Sequence, residues 1–113
     1  MKDLEQILKV LADKNRMRII KLLEKRKMCV CELTYILGIK QPSVSRHLKK
    51  LRECGIIQEE KNSYWKDYYL TKKNGSYTRL LTNSFKSWLN DDPIIKKDLS
   101  KLDKAKRESL CCK

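Results

Sequence analysis

Leu4, Ile7, Leu8 and Leu11 fall at the i, i+3, i+4, i+7 spacing of one apolar helical stripe, which predicts a first helix at the N-terminus. Asp13 is a good cap for a second helix, which carries Met17, Ile19, Ile20, Leu22 and Leu23 and ends at the basic cluster Lys25–Lys27. A third, short helix is predicted over Val30–Leu37 and is stopped by Gly38. In the run "IKQPSVSRHLKKLRECGII", Pro42 suits a first helical turn, Val44, Leu48 and Leu51 make an inner face, and Gly55 ends the helix.

From Ile56 the period changes. "IIQEE" and "KDYYL" read as strands with "KNSYW" between them as the tip, so a hairpin is expected. A further helix is expected from about Asn74–Gly75 to Asn90, with Tyr77, Leu80, Leu81, Phe85, Trp88 and Leu89 apolar. Asp92–Pro93 has the form of an N-cap followed by a first-turn proline, and a last basic helix or tail runs from there to "SLCCK". The class is α+β: mainly helical, with one small hairpin.

The chain has 113 residues, enough for one small domain and its core. Its 27 Lys and Arg against 14 Asp and Glu leave a formal net charge of +13, which points to a polyanionic partner, nucleic acid before all others. A solvated lysine-rich surface is the plainer account of the same charge. No apolar run is long enough to span a bilayer, and the amphipathic "MKDLEQILKVL" lacks the apolar core of a signal peptide. A cytoplasmic protein with reduced thiols is therefore expected. The cysteines stand at 29, 31, 54, 111 and 112, an odd number better suited to thiols or soft-metal ligands than to a disulfide framework.

Two short helices joined by a tight turn at Gly38 make a helix-turn-helix. The outer face of the second offers Gln41, Ser43, Ser45, Arg46, His47, Lys49 and Lys50, all hydrogen-bond donors or cations, over an aliphatic inner face. Such a helix fits the major groove of double-stranded DNA: Gln can read adenine, Arg can read guanine, and the later lysines suit phosphate. Lys61, Asn62, Ser63 and Lys66 at the hairpin tip would lie beside the groove. His47 is the sole histidine and has no flanking metal-ligand partner, so a phosphate or base contact is the expected role. Cys54, at helical spacing from Leu48 and Leu51, reads as a small core residue.

The runs "LADKNRMRIIKLL", "CVCEL", "QPSVSRHLKKLRECGII" and "YYL" resemble the ArsR/SmtB family of metal-responsive winged-helix repressors over residues 4–90. The resemblance implies a dimeric winged helix-turn-helix, with the first helix and the Asn74–Asn90 helix at a homodimer interface. It implies an operator that is an inverted repeat, and release of DNA when the inducer binds. Residues 1–92 would form the DNA-binding and dimerisation domain, and residues 93–113 a basic C-terminal helix or tail ending in Cys-Cys.

In arsenic-responsive members of that family a "CVC" pair binds trivalent arsenic or antimony, and Cys29 and Cys31 match it. Thiolates are the natural ligands of such soft ions. A helix N-terminus and the neighbouring Lys25, Arg26 and Lys27 favour the thiolate form. Because residues two apart point to different sides of a regular helix, the first turn must be distorted or loosened for both sulfurs to hold one ion. The family pattern often has a third cysteine where this chain has Thr34; Cys111 and Cys112 are the candidates to replace it. As(III) or Sb(III) is then an inducer, and no constitutive cofactor is expected. The competing readings are two buried core thiols, a same-fold repressor sensing oxidants or persulfides, and a thiol enzyme such as an arsenate reductase. The last is disfavoured because no phosphate-cradling loop accompanies the cysteines.

Overall fold

The computed structural model describes residues 1–72 and 77–106. Helix α1 (Lys2–Leu11) buries Ile7, Val10 and Leu11, while Leu8 stays exposed. Helix α2 (Lys14–Leu23) starts where the Asp13 carboxylate accepts the Arg16 backbone N–H at 3.1 Å. Its Ile19, Ile20, Leu22 and Leu23 form the centre of the core. Helix α3 (Val30–Leu37) ends at Gly38 with φ +69°. A Cβ there would meet nothing within 4 Å, so the left-handed backbone, not crowding, calls for glycine. Helix α4 (Gln41–Glu53) carries Pro42 in its first turn and buries Val44, Leu48 and Leu51 against α3, and Gly55 follows it at φ +82°.

Strands β1 (Ile57–Asn62) and β2 (Trp65–Leu70) pair antiparallel, with Ile57 opposite Leu70 and Asn62 opposite Trp65. The loop is therefore only Ser63–Tyr64, tighter than expected, with Ser63 at φ +47°. Lys61 and Lys66 belong to the strands and face each other across them. The residue before Cys29 joins this sheet too: Met28 and Tyr68 exchange backbone hydrogen bonds of 3.1 and 2.8 Å.

Helix α5 (Tyr77–Phe85) stops well short of the expected Asn90. The cause lies in α2. Lys21 is 1% exposed, and its Nζ donates to the Phe85 carbonyl at 2.6 Å and to Asn90 Oδ1 at 2.9 Å, while pairing with Glu24 at 2.8 Å. The carbonyl that a longer helix would offer to residue 89 is occupied by the ammonium and by a tighter bond from Trp88 N–H. The expected start of this helix, Asn74–Gly75, lies outside the described residues.

Helix α6 (Pro93–Ser100) is capped by Asp92, whose Oδ1 accepts the N–H groups of Ile94 and Ile95. It packs on α2 through a two-pronged pair: Arg18 Nε and Nη2 each stand 2.8 Å from an Asp98 oxygen. Asp98 is buried, and Arg18 also reaches the Leu37 carbonyl at 3.2 Å. A 3-10 turn at Leu102–Lys104 follows, with Ala105 buried. Asp98→Ala would leave the half-buried Arg18 guanidinium without its carboxylate partner. It should lower stability by about 3–5 kcal/mol, read by urea unfolding at fixed protein concentration.

Candidate nucleic-acid interface and thiol site

The outward face of α4 presents Gln41, Ser45, Arg46, Lys49 and Lys50, all exposed. Ser43 is half-buried and accepts Arg46 Nη2 at 3.1 Å. Among the described residues, Arg46, Lys49, Lys50 and Lys61 take part in no ion pair, whereas Arg52 is held by Glu59 at 2.7 Å. On the hairpin, Lys61 and Lys66 lie directly opposite and exposed, a like-charge pairing that is unfavourable unless an anion joins it. Glu59 offsets Lys66 only from 3.7 Å. Tyr64, absent from the sequence-based set, stands 81% exposed at the apex with its ring edge-on to Trp65. The sequence put Tyr64 at the hairpin tip beside Trp65, with nothing to tell which of the two aromatics would be exposed.

His47 departs from the expected outer face. It is half-buried, and its Nδ1 accepts Arg16 Nε from α2 at 3.1 Å. Burial lowers its pKa below the ordinary value; Asp13 opposes the shift, and Arg16, Arg46 and Lys50 add to it.

Cys29 is the N-cap of α3 and only 3% exposed. Its backbone is extended, φ −92° and ψ 171°, so it stands before the helix rather than in its first turn. Cys29 and Cys31 are therefore not two positions of one regular helix: the first caps α3 and the second lies in its first turn. Cys29 and Glu32 close a reciprocal box: the sulfur accepts the Glu32 N–H, and Glu32 Oε1 accepts the Cys29 N–H at 2.9 Å. Glu32 is held in turn by Arg26 Nη1 at 2.7 Å, and Arg26 Nη2 donates to the Leu102 and Ala105 carbonyls.

This geometry reverses the expected thiolate bias. Burial pushes the Cys29 thiol up, and the Glu32 carboxylate adds to it, against the pull of the Glu32 and Cys31 N–H groups. Two of the three neighbouring cations are engaged by carboxylates: Arg26 by Glu32, and Lys27 by Glu60 at 2.8 Å. Cys31 is half-buried. Thr34, at the position of the third family cysteine, has its Oγ1 buried without a hydrogen-bond partner among the described residues. Cys54 is half-buried and donates to the Leu51 carbonyl at 3.4 Å, in keeping with a core role. Cys111 and Cys112 lie outside the described residues. Among the described residues no three His, Cys, Asp or Glu side chains are grouped to hold a metal, so at most two sulfur ligands stand together here.

Residues 13–59 match the family described as "Bacterial regulatory protein, arsR family". The chain is 33% identical over 93 residues to the arsenic resistance transcriptional regulator ArsR1 of Pseudomonas putida, covering 78% of this chain and 73% of that protein. It is 32% identical over 113 residues to ArsR2 of the same organism, covering 94% and 95%. The crystal structure of the transcriptional repressor BigR from Xylella fastidiosa superposes with a TM-score of 0.63 at 30% identity, over 74% of this chain and 79% of that one. No helix among the described residues is long and apolar enough to cross a membrane.

The raised pKa has a direct consequence for reactivity. Under reducing conditions, alkylation of Cys29 by iodoacetamide should be slow at neutral pH and climb over a window above that of an ordinary thiol, because the thiolate is the nucleophile. Glu32→Gln removes the adjacent negative charge and should move the profile to lower pH. Site-resolved mass spectrometry across a pH series measures both.

Proposed function

The chain belongs to the arsR family of bacterial regulatory proteins, DNA-binding transcriptional regulators rather than enzymes, and we propose that it is a homodimeric repressor released from its operator by trivalent arsenic or antimony. The observation that carries the proposal is the mechanical position of Cys29. It caps α3, the first helix of the helix-turn-helix, and Met28 just before it is bonded to Tyr68 of the hairpin. A ligand on Cys29 and Cys31 therefore acts on both DNA-facing elements. The soft thiol pair and the arsenic-resistance names of the relatives favour As(III) or Sb(III) as inducer. A third ligand from Cys111 or Cys112 would complete a three-sulfur set.

In this reading α4 enters the major groove. Arg46 reads a base; Gln41, Ser43 and Ser45 contact bases or phosphate; and Lys49 and Lys50 bind phosphate. Lys61 and Lys66 of the wing flank the groove, and the anion relieves their mutual repulsion. Leu8 on α1 and Tyr77 and Leu80 on α5 are exposed apolar residues on one molecule, and a two-fold interface would cover them. The two α4 helices would then lie about 34 Å apart, one DNA turn, on an inverted repeat.

A second reading keeps the fold and the cysteines but changes the signal: oxidation of the thiols rather than binding of a soft ion. The two readings part on the inducer. Replacing both Cys29 and Cys31 by serine should leave operator binding intact and abolish release by arsenite in gel shifts under reductant. A typical coupling of about 1–3 kcal/mol makes the lost response roughly 5- to 150-fold in affinity. Release by peroxide with no response to arsenite would favour oxidation sensing instead.

On the DNA side, Arg46→Ala should weaken specific binding by about 1–3 kcal/mol and relax the preference at one base pair. Lys66→Ala should weaken all sequences alike and flatten the salt dependence by about one charge. Titrations at several salt concentrations measure both, and an unchanged Arg46→Ala affinity would remove Arg46 from the base contacts.

A further inference from the structure

Arg16 stands at the corner where α1 turns into α2, and its side chain reaches two other elements. Its Nη1 donates to the Val10 carbonyl at 3.1 Å. That carbonyl is one of the last four of α1, which no N–H of the helix itself can satisfy. Its Nε donates to His47 Nδ1, also at 3.1 Å, in α4. The Arg16 backbone is fixed as well, through its N–H on the Asp13 carboxylate. One guanidinium, anchored at its root, thus clamps the end of α1 to the middle of α4.

The bond also fixes the chemistry of His47. A ring nitrogen that accepts cannot carry a proton, so His47 is neutral with its proton on Nε2. Protonation would set N–H against N–H and break the clamp. Base reading, by contrast, asks for side chains held to within about 0.5 Å and 10–20° on a rigid support. His47 lies behind the exposed Ser45, Arg46, Lys49 and Lys50, where it can supply that support.

We infer that His47 is a positioning residue rather than a base reader: with Arg16 it locks α4 to the α1–α2 corner, so that the helix expected at the dimer interface dictates where α4 stands on DNA. The inference rests on the proposed repressor and names what sets its docking geometry. The clamp holds only while His47 is neutral. Asp13 and Arg16 face the ring from the α2 side and Arg46 and Lys50 from its own helix. Burial and the three cations lower its pKa against Asp13, so the clamp is intact at neutral pH and is lost as pH falls through a value below 6.5.

Two isosteres separate positioning from reading. The side-chain oxygen of Asn reaches the position of Nδ1, and that of Gln the position of Nε2. The probe is the duplex that the wild-type chain selects from a random-sequence pool. His47→Asn should bind it within about threefold of wild type, and His47→Gln about tenfold more weakly, the equivalent of about 1.4 kcal/mol. Wild-type affinity should fall on acidification through the His47 transition, relative to His47→Asn, which lacks that titration. The reverse ranking, Gln retained and Asn lost, would make Nε2 a DNA contact and overturn the inference. Nitrogen-15 NMR of the DNA-free wild type tests the clamp without DNA: Nδ1 should be unprotonated, and a proton found there overturns the clamp. A wild-type chain that selects no sequence would instead overturn the repressor reading, and the positioning role with it.

Discussion

Helix α2 is the member on which every other helix of the structure is hung, and the connections are made by cations. Arg16 grips the end of α1 and the middle of α4. Arg18 joins the Leu37 carbonyl at the end of α3 to the Asp98 carboxylate of α6. Lys21, fully buried, takes the last carbonyl of α5. Arg26, just beyond the helix, holds Glu32 and two carbonyls of the C-terminal turn. The aliphatic side of α2 supplies apolar burial, which has no direction. The cations supply direction, since each ends on a carbonyl or carboxylate with defined geometry. Removing such an anchor leaves an unpaired charge or carbonyl inside, which is costlier than the pair is stabilising.

This division explains how so basic a chain folds. Four of its cations are spent inward on backbone oxygens, carboxylates and one imidazole. Others on the surface, Lys27 and Arg52, are balanced by Glu60 and Glu59. Among the described cations that take part in no ion pair, Arg46, Lys49 and Lys50 stand on α4 and Lys61 on the hairpin, where it faces Lys66. Part of the net charge of +13 therefore lies where two elements can straddle a polyanion, and repulsion there is relieved by the partner it attracts.

Elements governed by local chemistry were legible in the sequence. The bounds of α3, the Asp13 and Asp92 caps, the Pro42 start and the stop at Gly38 depend on neighbours within a few residues. What was not legible depends on partners far along the chain. Nothing near Phe85 announces that Lys21, sixty-four positions earlier, will end α5 there. Nothing in "SRH" tells that a guanidinium from α2 will turn the third residue away from the outer face. The thiol pair was legible as residue types, but not in its electrostatics. Two of the three cations expected to favour a thiolate, Arg26 and Lys27, are engaged by carboxylates, one of which closes the helix cap on the cysteine itself.

That cap gives the proposed sensor its mechanism. Cys29 Sγ accepts the first-turn N–H group of Glu32, using a lone pair that a soft ion would need. Binding and capping therefore compete. An N-cap contributes about 0.5–2 kcal/mol, the same scale as the roughly 1–3 kcal/mol of a typical allosteric coupling. Loosening the start of α3 is felt on two sides, at the turn leading into α4 and through the Met28–Tyr68 bridge in the hairpin. The loss becomes a signal only if DNA holds the capped form more firmly than free solution does, because a ligand shifts an equilibrium by no more than its preference between the two states. The Arg26–Glu32 pair and the C-terminal carbonyls it binds brace that capped form from outside the DNA-facing surface. The strength of that brace therefore sets how far the inducer must pull before α4 and the hairpin respond.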